Sequence, residues 1–133
     1  MIVVDASIMG KWVLEDEVGI EDALLLLNNH TKGIEEIIVP ELVFYEVANA
    51  LATKSKISAT QTSLALNKIF KLQLRIYHPN QSDIIESATL ARKYKTSVYD
   101  MLYAIVAKNH KATLITADEK FINQTTFKFV KLL

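Results

Sequence analysis

Apolar residues follow two rhythms along this chain. Short continuous runs, mostly β-branched, read as buried strands, and longer stretches with apolar positions every three or four residues read as helices. The first run, residues 1–4, is Met-Ile-Val-Val, and it ends at Asp5-Ala6-Ser7, a helix-start signal before an apolar stretch over 8–14. Ile20, Ala23, Leu24 and Leu27 recur at helical spacing, with a helix end near Asn28-Asn29-His30. Ile37-Ile38-Val39 predicts the second strand, stopped by Pro40. A helix is predicted over 41–53, with Pro40 in its first turn or just before it. Ser58 or Thr60 can cap another helix running to about residue 72. The third strand is predicted over 74–77, helices over 82–94 and 97–109, the fourth strand over 112–116, a short helix over 118–123 and a last strand over 127–130.

Strands alternate with helices, and the strands are apolar throughout rather than on one face. That pattern predicts an α/β fold, a parallel sheet covered by helices on both faces. In such sheets ligands bind beyond the carboxyl ends of the strands. An acid just after a strand, or early in a following helix, is therefore a candidate site residue.

Composition narrows the chemistry. The chain has 133 residues, which suits one domain over 1–133 with a real core. Half of the residues are apolar and 23% are charged, which excludes a disordered or collagen-like chain. There is no cysteine, so disulfides, thiolate zinc sites and cysteine nucleophiles are excluded. No apolar run reaches membrane-spanning length. Asp5 follows the start almost at once with no basic segment before it, so no signal peptide is expected and the expected location is cytoplasmic. The formal net charge is zero, but residues 1–50 hold ten acids and two bases, and residues 51–133 hold thirteen bases and five acids. Both signs should lie on one globule, either as two solvated faces or as an acidic cation site beside a basic surface for a polyanion.

Four acids stand in conspicuous places. Asp5 follows the first strand and Asp118 closely follows the fourth; each could simply cap the next helix. Glu46 lies in Leu-Val-Phe-Tyr-Glu46-Val-Ala-Asn49-Ala-Leu, a helix apolar nearly all round, where a carboxylate needs a partner or an opening to water. Asn49 lies one turn further on the same face. Asp100 fits a capping box in Ser97-Val98-Tyr99-Asp100, with aspartate in place of the usual Glu or Gln, before another helix apolar on most sides. All four can converge at one sheet edge. Carboxylates that close repel, and hard divalent ions such as Mg²⁺ or Mn²⁺ are the natural way to hold them together. Such a cluster suits metal-assisted phosphodiester hydrolysis. There is no Gly-rich phosphate loop and no Gly-x-Ser-x-Gly elbow. His30, His78 and His110 are scattered, without metal-ligand spacing, and read as structural or surface residues.

At these residues the sequence resembles the PIN-domain ribonucleases, and within them the VapC-type toxins of toxin–antitoxin pairs. The resemblance rests on Val-Val-Asp5-Ala-Ser7, on Pro40-Glu-Leu-Val-Phe-Tyr-Glu46-Val-Ala-Asn49, on Tyr99-Asp100-Met-Leu-Tyr103-Ala and on Leu-Ile-Thr116-Ala-Asp118-Glu-Lys-Phe121. It implies a three-layer α/β/α domain with strand order 3-2-1-4-5. It also implies an acidic pocket that binds Mg²⁺ or Mn²⁺, an RNA substrate, a homodimer and a small antitoxin partner. On this resemblance Asp5 and Asp100 hold the principal metal, and Glu46 and Asp118 complete the site. Ser7, Asn49 and Thr116 map onto supporting polar positions. Lys54, Lys56, Lys108, Lys111 and Lys120 are candidate phosphate contacts. Trp12 and the stretch 24–27 are candidates for an antitoxin groove, with core packing as their ordinary role. Met101 departs from the family's frequent Ala after the third acid. A phosphoacceptor receiver domain fits poorly, since it would need paired acids after the first strand. The remaining alternative is a non-catalytic RNA- or protein-binding module of the same family.

Overall fold

The computed structural model describes residues 1–14 and 18–133. The chain runs β1 (Ile2–Val4), α1 (Ala6–Lys11), α2 (Ile20–Thr31), β2 (Ile37–Pro40), α3 (Leu42–Thr53) and α4 (Ala59–Phe70). It continues through β3 (Arg75–Tyr77), α5 (Gln81–Tyr94), α6 (Val98–Asn109), β4 (Thr113–Thr116), α7 (Glu119–Thr125) and β5 (Val130–Leu132). Glu15, Asp16 and Glu17, which read as part of an acidic face, lie outside the described residues.

The strands form one all-parallel sheet in the order β3-β2-β1-β4-β5. Val3, Val4, Ile37, Ile38 and Val39 are fully buried, so apolar partners cover both faces of the central strands. This is why these strands read as unbroken apolar runs instead of alternating ones. Helices flank the sheet: α1 and α3 pack together with α2 and α4 beside them, and α6 lies across β1, β2 and β4 with α5 packed against it. Of α6, Met101 and every residue from Tyr103 to Ala107 are buried. Met101 is thus accommodated in the core.

Local rules explain most boundaries. Ser58, not Thr60, caps α4, in a reciprocal capping box with Gln61. Asn80 and Asp83 make the same box at the start of α5, one residue before the predicted boundary. Trp12 is buried, and its indole N–H donates to the Ala23 carbonyl at 2.9 Å, which ties α2 to the end of α1. Leu24 and Leu25 are exposed, while Leu26 and Leu27 pack on the core.

The last strand departs from expectation. It was predicted over 127–130 and forms at Val130–Leu132. Phe127 is drawn instead into an aromatic cluster, edge-on to Tyr94 at 5.1 Å and stacked with Phe129 at 5.3 Å. The Val130 amide turns back to the Phe127 carbonyl at 3.1 Å, so pairing with β4 starts only after that turn. Alternating residues in an aromatic-rich segment carry a strand signal wherever the turn falls.

Candidate active site

The register of the sheet sets the site. Val4 pairs with Ile115, so Asp5, the first residue past β1, comes beside Thr116, the last residue of β4. Asp5 caps α1: its Oδ1 accepts the amides of Ser7 at 3.0 Å and Ile8 at 3.2 Å, and the Ser7 hydroxyl at 2.5 Å. Its Oδ2 accepts the Thr116 hydroxyl at 2.5 Å. Thr116 Oγ1 in turn accepts the Asp118 amide at 3.0 Å, and Ser7 Oγ accepts the Ala117 amide at 3.0 Å. The ends of β1 and β4 are therefore stitched together through two hydroxyls. The Asp118 carboxylate caps α7 by accepting the Phe121 amide at 3.0 Å.

Two helices bring the other acids. Asp100 lies in the first turn of α6, and Ser97 Oγ accepts its amide at 3.0 Å. This is only half of the expected capping box: the reciprocal bond back to the Ser97 amide is not formed among the described residues. Glu46, on α3, accepts a hydrogen bond at Oε2 from the hydroxyl of Tyr103 on α6. Asp5, Glu46, Asp100 and Asp118 are all partly buried.

The carboxylates act on one another. Burial raises the Asp5 carboxyl above the usual range, the hydroxyls of Ser7 and Thr116 oppose this, and the charge of Asp100 adds to it. Burial likewise raises Glu46; the Tyr103 hydroxyl opposes it, Asp100 and Asp5 push it further up, and Lys54 pulls it down. Asp100 is raised by burial, against the Ser97 hydroxyl, with the charge of Asp118 adding to the rise. The Tyr103 hydroxyl is pushed far above its ordinary value by burial, then by its bond to Glu46 and the charges of Glu46, Asp5 and Asp100. Each of the four predicted acids thus lies within electrostatic reach of another. Among the described residues none forms an ion pair with a base.

Four hard oxygen donors that repel one another fit a divalent cation of the Mg²⁺ or Mn²⁺ type, whose charge would remove the repulsion. As the side chains stand, no three acids or histidines among the described residues converge closely enough to hold one ion. Asp5 is engaged by two hydroxyls and Glu46 by a third.

The supporting residues divide. Ser7 and Thr116 both touch Asp5. The Asn49 side chain is exposed and makes no hydrogen bond to the four acids among the described residues. Lys54 caps the end of α3, and its charge reaches Glu46. Together with Lys56 and Lys68 it lines a cleft of about 800 Å³ whose walls include Leu14, Ile57 and Leu64. Lys120 is exposed in α7, two residues after Asp118. Lys108 bonds Glu86 at 2.6 Å, about 12 Å of helix rise from Asp100. Lys111 lies beyond it, past the end of α6. The histidines stay outside the site: His30 bonds around β2, His78 pairs with Glu41, and His110 packs edge-on to Tyr77 at 4.8 Å. Sequence reasoning missed Tyr103. The signal was present, since it lies three residues after Asp100 on the same helix face, and a buried tyrosine hydroxyl needs a partner.

The PIN domain family model matches residues 2–126. No curated protein matches the sequence significantly. Among solved structures, PAE2754 from Pyrobaculum aerophilum superposes with a TM-score of 0.73 at 21% identity, covering 98% of this chain and 89% of that one. VapC20 from Mycobacterium tuberculosis, a sarcin–ricin loop cleaving toxin, gives a TM-score of 0.72 at 12% identity, covering 94% of this chain and 95% of that one. A toxin–antitoxin complex from Klebsiella pneumoniae gives 0.65 at 20% identity, covering 98% of this chain and 96% of that one. At these identities the likeness establishes a common fold.

Proposed function

The chain belongs to the PIN domain family, and on that premise we propose that it is a metal-dependent endoribonuclease, the toxin of a VapBC-type toxin–antitoxin pair. The observation that carries the reading is the set of four mutually repelling carboxylates, Asp5, Glu46, Asp100 and Asp118, at the carboxyl edge of the sheet. So much uncompensated negative charge destabilises a fold unless a cation is bound there. Mg²⁺ or Mn²⁺ supplies Lewis acidity for a nucleophilic water and neutralises charge on the phosphate oxygens.

The chain's own residues do the rest. Asp5 and Asp100 hold the ion, and Glu46 and Asp118 complete its surroundings. Ser7 and Thr116 each hold one Asp5 oxygen by a hydrogen bond. Lys54, whose charge reaches Glu46, and Lys56, which lines the same cleft as Lys54, attract the RNA backbone that the carboxylates would otherwise repel. A small antitoxin partner is part of the reading and is supported by the Klebsiella pneumoniae complex among the structural neighbours. A homodimer acting in the cytoplasm belongs to the same reading. No helix among the described residues is long and apolar enough to cross a membrane.

The test is Asp100→Asn, assayed for Mn²⁺-dependent cleavage of RNA alongside circular dichroism. Loss of cleavage with the fold intact is the expected outcome. Full cleavage by this variant overturns the assignment.

A further inference from the structure

Tyr103 is 1% exposed, within a buried run of α6 whose other members are Met101, Ala104, Ile105, Val106 and Ala107. Packing alone does not call for a hydroxyl there. Phenylalanine would fill the same space, and a buried hydroxyl is costly unless it is bonded. The hydroxyl donates to Glu46 Oε2 on α3, 57 residues away in sequence. No hydrogen bond to Glu46 Oε1 is formed among the described residues.

Glu46 needs such a hold. It is a flexible side chain at a half-buried position, and the charges of Asp5 and Asp100 disfavour its carboxylate there, with only Lys54 and the Tyr103 hydroxyl opposing them. One neutral donor can offset that repulsion without cancelling the negative charge a cation needs. Asp5 is treated in the same way, with hydroxyl donors Ser7 and Thr116 on its two oxygens. Helix α6 thus brings two things to the site from one face: the Asp100 carboxylate and, three residues on, the donor that restrains Glu46.

We propose that Tyr103 is a positioning residue of the ion site: its hydroxyl clamps one Glu46 oxygen, so that Glu46 stays beside Asp5 and Asp100 and its other oxygen is presented to a divalent cation. This rests on the metal-dependent reading above. Removal of an outer-shell hydrogen bond typically lowers metal affinity about 10- to 100-fold.

The experiment measures Mn²⁺ binding directly, by the electron paramagnetic resonance signal of free Mn²⁺, in wild type, Tyr103→Phe, Glu46→Gln and the double variant. Tyr103→Phe should weaken binding about tenfold or more. In the Glu46→Gln background the same change should have little further effect, because there is no carboxylate left to place. RNA cleavage by Tyr103→Phe should recover toward the wild-type kcat at saturating Mn²⁺. Wild-type affinity in Tyr103→Phe overturns the proposal, and so does an equal loss in both backgrounds, which is what a packing role gives. Should Tyr103→Phe fail to fold, fluorotyrosine placed at all five tyrosines reports by ¹⁹F resonance. The Tyr103 signal should then move on Mg²⁺ addition in wild type and stay still in Glu46→Gln, and no movement in wild type overturns the proposal. A wild type that binds no Mn²⁺ overturns the metal-dependent reading as well, whereas Mn²⁺ binding unaffected by Tyr103→Phe overturns this one alone.

Discussion

Thr116→Val removes one hydroxyl from the junction of β1 and β4 and leaves the side-chain volume almost unchanged. Thr116 is 1% exposed, so water cannot replace what is lost. Its hydroxyl donates to the Asp5 carboxylate at 2.5 Å and accepts the Asp118 amide at 3.0 Å. A hydrogen bond to a charged group contributes about 1.5–3 kcal/mol and a neutral one about 1 kcal/mol. The expected loss is therefore about 2–4 kcal/mol of folding stability in EDTA at pH 7. For 133 residues, at the usual unfolding entropy per residue, about 1 kcal/mol corresponds to roughly 3.6 °C, so Tm should fall by about 7–14 °C. Thermal and urea denaturation measure this. Thr116→Ser is the control: it keeps both hydrogen bonds and loses only a methyl group, so it should retain most of the stability. A valine variant as stable as wild type, or a serine variant as damaged as the valine one, would refute the reasoning that hydroxyl bonds hold this junction. The deficit should also narrow as pH falls and Asp5 takes up its proton, since the charge-assisted part of the loss then disappears.

Three further outcomes follow from the same electrostatics. Asp5, Glu46 and Asp100 have folded-state ionisation raised above the unfolded value, so between about pH 4 and the raised values the native state binds more protons and stability falls as pH rises. Tm in metal-free buffer should accordingly increase on going from pH 7 to about pH 5, and a flat or opposite profile in that window would contradict the burial and repulsion argued for the site. Asp100→Asn, which removes one of the repelling charges, should match or exceed the wild-type Tm in EDTA while losing cleavage; a marked loss of stability would mean that Asp100 serves mainly as a structural cap. Millimolar Mn²⁺ should raise the wild-type Tm, by about 10 °C if the ion is at a hundred times its dissociation constant, since linkage then contributes about 2.7 kcal/mol. No Mn²⁺-dependent shift in differential scanning calorimetry would favour a non-catalytic binding module.

Much of this site was legible because its acids obey local rules. Asp5, Asp118 and Ser97 are helix caps, and capping residues at strand ends can be recognised from neighbouring letters alone. Glu46 was legible through conflict, as a carboxylate in a helix otherwise apolar nearly all round. Asn49 was placed with the site by spacing, one turn from Glu46, yet its side chain is exposed, since a shared helix face spans both a pocket and its rim. Lys108 shows a similar limit. Its charge was visible, but not that it pairs with Glu86 on α5 at the far end of α6 from Asp100.

By itself, the sequence determined the alternation of strands and helices and the caps that start most helices. Both follow from interactions within a few residues of one another. Only the tertiary structure decided which ends meet. The register of Val4 with Ile115 brings Asp5 to Thr116, 111 residues apart in sequence, and the crossing of α6 over the sheet brings Tyr103 to Glu46. The β5 start moved from residue 127 to Val130 for the same reason: burial of Phe127 against Tyr94 is a long-range gain that no local pattern records. Carboxylate ionisation also depends on burial and on neighbouring charges. For this chain, chemistry could be assigned to residues by local spacing, but the forces acting on that chemistry arise from contacts that exist only once the sheet is assembled.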